Sequence, residues 1–250
     1  MNRPVVAHLS RATLALVLGI LSSSAAAEGL TREQGDEILR ELRALRAAVE
    51  RLGTRDVAAR PAPPVRELEV SLADGNRIGS PDAPLTLVQF TDYQCPYCAR
   101  FFRDVLPTLK ENYIDSGKLQ LVVHDLPLDF HAHAANAAHA ARCAAEQERF
   151  VAMHDTLYGN AQALDAGALS QYAANIGLDR AAFDACMESG RYRESIARGA
   201  AAIQALGITG TPTFVLGHAV DGKVKGPQIL GAQPAAAFAS RIDALLEQGS

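Results

Sequence analysis

Cys95 and Cys98, three residues apart, stand where the pattern predicts a strand running straight into a helix, and that junction limits the folds open to this chain. Leu85-Thr86-Leu87-Val88-Gln89-Phe90 reads as a buried strand. Pro96 suits a first helical turn, where its missing N–H would be unpaired anyway. Phe101, Phe102, Val105, Leu109 and Tyr113 recur at helical spacing, which predicts a helix from Tyr97 to about Ser116, kinked at Pro107 and ended by Gly117. Lys118 to Asp125 alternates Leu119, Leu121 and Val123 and returns as a strand, completing a strand-helix-strand unit. A sulfur at such a helix start faces unpaired backbone N–H groups and the positive end of the helix dipole. Thiolate is favoured there, with a pKa brought from about 8.5 into a range of roughly 3.5–7.5. Cys95 is therefore read as the exposed sulfur that attacks or is attacked, Cys98 as the more buried resolving sulfur, and Pro96 and Tyr97 as the dipeptide that tunes the pair.

The remaining elements are expected around this unit. A strand near Arg66–Ser71 precedes a turn at Asp74-Gly75-Asn76. The stretch from His131 to Leu206 is alanine-rich and helical, punctuated by Gly159, Gly167, Gly177, Gly190 and Gly199, and reads as an inserted helical subdomain spanning about 129–207. Thr213–Leu216 and Gln228–Gly231 pair around Asp221-Gly222, and Pro234 opens a last helix carrying Phe238, Ile242, Leu245 and Leu246. The fold class is α/β. No internal repeat is seen.

Two segments precede this domain. Arg3 and Arg11, the apolar run Ala12–Leu21 and the small residues Ser22–Ala27 have the order of a secretory signal cleaved after Ala27, which assigns 1–27 to a signal peptide and the mature chain to an exported, disulfide-permissive setting. An arm at 28–57 follows, with a helix over Thr31–Leu52 that Gly53 stops. Its Ile38, Leu42, Leu45, Val49 and Leu52 form a heptad seam in which Glu41 would face Arg46 of a second copy, so a homodimer through these residues is one reading and a helix folded back on its own domain the other. Residues 58–66 form a proline-rich spacer before the main domain at 67–250. The whole chain has 24 basic and 28 acidic residues, a formal charge of −4. Without Arg3 and Arg11 the balance is 22 against 28, or −6. No broad basic face is available for phosphates, so nucleic acid is not an expected partner.

Gly210-Thr211-Pro212-Thr213-Phe214 lies at the start of a distant strand, where proline cannot donate to a ladder. A cis Thr211–Pro212 bond would bring this turn beside Cys95 and leave Thr211 backbone groups free for an extended substrate. Together with Phe90-Thr91-Asp92-Tyr93-Gln94-Cys95-Pro96-Tyr97-Cys98, with Asp129-Phe130-His131-Ala132-His133-Ala134, with Ala141-Arg142-Cys143-Ala144 and Glu146-Gln147, and with Met153-His154-Asp155, it resembles the DsbA-like branch of the thioredoxin superfamily over roughly Leu68 to Glu247. The resemblance implies a thioredoxin fold with a helical insertion, here behind an N-terminal coiled-coil helix. It also implies a bacterial periplasmic protein that passes disulfides to or between exported proteins with cysteines, recharged by a membrane redox partner and needing no cofactor.

One position departs from that family's habit. The strand residue six before the first cysteine is commonly acidic and relays the resolving thiol's proton, whereas Gln89 cannot accept it. Transfer to or from Cys98 is then expected through water or Asp92, with slower resolution or a shifted pH optimum. Cys143 and Cys186, 43 residues apart, are expected to form a structural disulfide, the alternative being two thiols packed as small apolar residues. His131, His133, His139 and His154 read as solvated or capping residues rather than a metal set, since an i, i+2 pair does not share a helix face. Two other functions remain open: copper handling by the Cys95/Cys98 thiolates, although Met153 and Met187 are the only methionines of the mature chain and neither is near Cys95 in sequence, and a non-catalytic scaffold built on the arm. Whether the pair oxidises or isomerises is also open.

Overall fold

A computed structural model describes residues 31–54 and 66–248, so the expected signal peptide and nearly all of the expected linker lie outside the described residues. The chain separates into two units, Met1–Pro63 and Pro64–Ser250. In the first, helix α1 (Arg32–Thr54) continues one residue past Gly53. It starts with a reciprocal cap: the Thr31 hydroxyl accepts from the Gln34 N–H at 3.2 Å, and the Gln34 side-chain oxygen accepts from the Thr31 N–H at 3.0 Å. Ile38, Leu42, Leu45 and Val49 are all exposed, as is Leu39 beside them. Among the described residues no helix is long and apolar enough to cross a membrane.

The second unit is a twisted mixed sheet. Its strands are β1 (Glu67–Ser71), β2 (Asn76–Ile78), β3 (Leu85–Thr91), β4 (Leu119–Asp125), β5 (Thr213–Gly217), β6 (Ala219–Val220) and β7 (Lys223–Leu230), in the order β1-β7-β5-β3-β4-β2, with β6 paired to β7. β3 runs parallel to β4 and antiparallel to β5, so it occupies the interior of the sheet. Every residue of β3 and β4 is buried, including the polar Thr86, Gln89 and Thr91 of β3 and Gln120, His124 and Asp125 of β4. Strand β2 falls where a turn ending at Asn76 was expected; its three residues are too few to establish an alternation. Arg66, expected at the end of the spacer, is instead tied down, its carbonyl accepting from the Gln228 N–H at 2.8 Å and its guanidinium donating to the Leu206 carbonyl.

Helix α2 (Pro96–Asp104) ends at Val105, and α3 (Leu106–Leu109) and a π-helical turn (Lys110–Ile114) follow, so the single kinked helix is in fact three pieces. Pro107, with no N–H to give the preceding turn, sits in the first turn of α3. Between β4 and β5 the insertion holds α4 (Ala134–Ala145), α5 (Phe150–Gly159), α6 (Ala166–Asn175), α7 (Arg180–Ser189) and α8 (Arg193–Ala205). Gly177 and Gly190 end helices with positive φ, but Gly167 lies in the first turn of α6 and Gly199 inside α8, so neither punctuates. Asp179 and Asp165 cap α7 and α6 through side-chain oxygens. Helix α9 (Ala235–Gln248) closes the chain.

Period-two alternation along β3 sorts its side chains onto two faces. Leu85 and Leu87 pack with Phe101, Phe214, Phe238 and Ile242 under α2 and α9, whereas Val88 and Phe90 pack with Leu68, Val70, Ala200 and Ile203 under α8. Gln89 and Thr91 therefore belong to the face that carries α2. At the β6–β7 hairpin Asp221 and Gly222 both take positive φ, 50° and 72°. Gly226 has a different reason: a Cβ there would come within 2.0 Å of the Leu216 carbonyl oxygen, so only glycine allows β5 and β7 to approach this closely.

Candidate active site

Cys95 is the N-cap of α2, with φ −70° and ψ 121°, and its carbonyl accepts the first helical bond, from Ala99, at 3.0 Å. Its own N–H donates to the Asp92 carbonyl at 3.1 Å. The Thr211–Pro212 bond is cis, and the Cys95 thiol donates to the Thr211 carbonyl at 3.3 Å although 116 residues separate them. The expectation of a freely exposed Cys95 is corrected here: the residue is only 4% exposed, enclosed by this turn, while Cys98 is 0% exposed. Beside them runs a groove of about 500 Å³ bordered by Tyr97, Gly210, Thr211, Pro212, Gln228 and Leu230. Tyr97 and Leu230 form its exposed apolar rim, and the Arg100 guanidinium lies 5.6 Å from the Tyr97 ring centre.

The two thiols are driven apart in acidity. The Cys98 side chain, the Thr211 side chain and the backbone N–H groups of Cys98 and Tyr97 all stabilise a thiolate at Cys95 and bring its pKa from 9.0 down to about 5 against the opposing effect of burial. Burial first, and then the neighbouring Cys95 sulfur, pushes Cys98 well above the ordinary thiol range. At neutral pH one sulfur is ionised and the other protonated, which is the condition for one to attack and the other to hold a proton.

Beneath Cys98 lies a group of neutral hydroxyls. Gln89 donates from its side-chain nitrogen to the Thr91 hydroxyl at 3.1 Å, and that hydroxyl also bonds the Tyr158 hydroxyl. Thr91 acts on Cys98 in the direction of a donor to the thiolate. Burial pushes Tyr158 well above the ordinary phenol range, so it remains a donor. Asp92 turns elsewhere. One carboxylate oxygen accepts from the Gln94 N–H at 2.7 Å, and the other accepts from the Leu128 N–H and meets the His131 ring, both at 2.8 Å. It clamps the cysteine loop to the loop after β4, a task to which Gln94 adds by accepting from the His133 N–H.

Thr91 could have been found from sequence, because it shares a strand face with Gln89. Tyr158 could not: it arrives from α5, 67 residues downstream. Asp125 and Arg142, paired at 2.7 Å in the interior, were also not singled out as partners. Cys143 and Cys186 are joined across α4 and α7, with Cα atoms 5.9 Å apart. Of the histidines read as solvated or capping, His133 is at the start of α4 and His131 pairs with Asp92, but His139 and His154 are buried, because the insertion packs helices on several sides of α4 and α5.

Comparison with known proteins agrees with this arrangement. The thioredoxin family profile matches residues 72–231. The crystal structure of Wolbachia pipientis alpha-DsbA1 superposes with a TM-score of 0.61 at 26% identity, over 70% of this chain and 92% of that one. BdbD from Bacillus subtilis, in its oxidised form, superposes at 0.63 and 20% identity over 73% and 98%, a likeness of fold. Among curated sequences, the Na(+)/H(+) antiporter NhaA 3 of Salinispora tropica is 36% identical over 137 residues, 54% of this chain and 20% of the antiporter. The probable disulfide bond formation protein D of Bacillus cereus is 48% identical over 50 residues, 20% of this chain and 23% of that protein. The chain thus spans about a fifth of the length of the curated relatives it matches.

Proposed function

The chain belongs to the thioredoxin family, and from that premise we propose that it is a DsbA-like thiol:disulfide oxidoreductase that forms or isomerises disulfides in exported proteins through Cys95 and Cys98. One observation carries the reading: Cys95 is the N-cap of α2 with its sulfur 3.3 Å from the carbonyl of Thr211, which with Pro212 and Tyr97 lines a groove whose rim is apolar. In the oxidising direction, a client thiolate attacks the Cys95 sulfur of the Cys95–Cys98 disulfide, and the Cys98 sulfur leaves and takes a proton. A second client thiolate then attacks the client sulfur, releasing Cys95 as a stable thiolate. Thr211 and Pro212 form the turn against which an extended client chain docks, leaving the 3.3 Å thiol–carbonyl contact as the client arrives. The protein acts in the periplasm after removal of 1–27, and a membrane redox partner restores the Cys95–Cys98 bond. Residues 28–57 pair two copies through Ile38, Leu42, Leu45, Val49 and Leu52, facing two active sites toward one client, the arrangement suited to isomerisation.

Insulin reduction and refolding of a scrambled disulfide client test this. Cys95→Ser abolishes both activities, whereas Cys98→Ala traps a mixed disulfide on Cys95; refolding at the wild-type rate by Cys95→Ser would refute the assignment. Light scattering of the chain with and without residues 28–60 reads the pairing: loss of these residues halves the mass and lowers client isomerisation more than client oxidation.

Thr91 replaces the missing acid as the group that manages Cys98. Gln89 donates to its oxygen, and with the Tyr158 hydroxyl donating as well the single Thr91 proton would be free to point at the Cys98 thiolate as that thiolate forms. Thr91→Val removes this donor at nearly constant volume. Since a hydrogen bond to a charged group is worth about 1.5–3 kcal/mol, resolution of a mixed disulfide at Cys95 is expected to slow roughly tenfold to a hundredfold at pH 7, with Cys95 alkylation unchanged. Stopped-flow release of a Cys95-bound thiol measures the first, and an unaltered release rate contradicts the role.

A further inference from the structure

Helix α4 carries His139 and Cys143 four residues apart on one face, Glu146 follows as its C-cap, and Cys186 meets that face from α7. One ligand atom each from His139, Cys143 and Cys186 lies within 4.8 Å of the other two, and the Cys186 sulfur is 3.7 Å from a Glu146 carboxylate oxygen. His139 is 0% exposed, and neither of its ring nitrogens makes a hydrogen bond of ordinary geometry, although the Cys186 carbonyl lies near the ring. A buried imidazole with both nitrogens unsatisfied is a poor core residue unless another state of the protein uses it. Glu146 is already oriented, accepting from the Tyr192 hydroxyl at 2.7 Å and pairing with Arg191 at 3.3 Å.

We propose that reduction of the Cys143–Cys186 disulfide turns this corner into a closed Zn²⁺ site made of His139, Cys143, Cys186 and Glu146, so that the metal and the disulfide exclude each other. Zn²⁺ takes such mixed nitrogen, sulfur and oxygen sets tetrahedrally, with Zn–S near ~2.3 Å, which requires the two sulfurs to part. A dithiol supplies the two electrons and two protons that break the S–S bond and leaves as a disulfide. The two new thiols then release their protons to solvent as the metal–sulfur bonds form. The charges balance: two thiolates neutralise the ion, and Arg191 offsets Glu146. Bound metal holds the second cysteine pair reduced and spares the fold two uncompensated thiolates beside an unsatisfied imidazole. The site is independent of Cys95 and Cys98 and stands or falls apart from their reading.

The test uses the full chain carrying Cys95→Ser and Cys98→Ser, so that the remaining cysteines are Cys143 and Cys186. After phosphine reduction and anaerobic exchange, Co²⁺ is expected to produce a thiolate-to-cobalt charge-transfer absorption saturating at an equimolar ratio. Equimolar Zn²⁺ is expected to erase it and to slow reoxidation by glutathione disulfide at least about tenfold, and the oxidised chain is expected to show no such absorption. His139→Ala is expected to weaken Zn²⁺ binding by about tenfold or more. Because alanine leaves a cavity, His139→Gln is read beside it, keeping most of the volume. Absence of the equimolar band in the reduced chain, or full Zn²⁺ affinity in either His139 variant, overturns the proposal.

Discussion

The reduction potential of the Cys95–Cys98 pair is expected to fall by about 60 mV per pH unit below pH 5 and by only about 30 mV per unit above it, because each proton taken up in a two-electron couple contributes about 30 mV. Below about pH 5 both sulfurs of the reduced pair are thiols and reduction consumes two protons. Above it Cys95 is a thiolate and reduction consumes one, the proton that burial keeps on Cys98. The sign follows from the depressed pKa of Cys95. Relative to an ordinary thiol at 9.0, the folded thiolate stabilises the reduced form most fully in alkaline solution, and that stabilisation is lost as pH falls through about 5. A pair whose reduced form is stabilised at neutral pH is an oxidant, so the same break in slope predicts that the protein donates its disulfide to client thiols more readily than its reduced pair gives electrons to a client disulfide. Redox titration against glutathione from pH 4 to pH 8, with alkylation of Cys95 followed over the same range, measures both. A single slope of about 60 mV across the range would place the Cys95 pKa above 8 and remove the basis for its nucleophilic role.

Arg142→Leu is expected to destabilise the fold by about 3–5 kcal/mol at pH 7, the cost of stranding one member of a buried ion pair. Asp125 and Arg142 meet at 2.7 Å, with side chains 2% and 10% exposed, at the end of β4 and on α4, so they tie the insertion to the sheet directly behind the active-site strands. Burial raises the Asp125 pKa and Arg142 lowers it. Without the guanidinium only the rise is left, and the carboxyl protonates in the folded state to escape the interior. A folded-state pKa raised above the unfolded one makes stability fall as pH climbs between the two, so the penalty is expected to shrink at pH 4 and grow toward pH 8. Denaturant melts of the variant at those two pH values read the difference; equal losses at both would mean that Arg142 acts through packing alone. Replacing both residues with apolar ones of similar volume is expected to recover much of the loss, since the pair offsets its own desolvation more than it adds stability.

The parts of this protein that were legible in its residues share a physical character. The strand entering Cys95, the proline in the first helical turn, the alternation of β4, the hairpin at Asp221-Gly222 and the amphipathic stripe of α1 all follow from torsion preferences and from side-chain periods of two and 3.6, which act between near neighbours in the chain. The strand-helix-strand unit with two cysteines at its junction was accordingly within reach, while the thioredoxin fold was implied by the resemblance of these motifs to a known family. Residues whose partners arrive from far along the chain behave otherwise. Tyr158 meets Thr91 across 67 positions, and Asp92 finds the Leu128 N–H and His131 across 36 and 39. The sequence offers Asp92, beside water, as a relay for Cys98, and its neighbourhood contains nothing to say that its carboxylate turns to the Leu128 N–H and His131 instead.

Cys95 makes the same point within one residue. Its position at a helix start is a local property that sequence alone determined, and so is the nearness of Cys98 and of the Tyr97 and Cys98 N–H groups, which lower its pKa; the further lowering by Thr211 is not local. Its enclosure at 4% exposure, its bond to Thr211 and the protonated state of its neighbour Cys98 depend on a turn 116 residues away and on the packing of α5 against β3, and only the folded chain settled them. Burial and long-range contact are properties of the assembled core, where desolvation and hydrogen bonding change by kilocalories over distances of a single ångström, and no pattern confined to neighbouring residues encodes them.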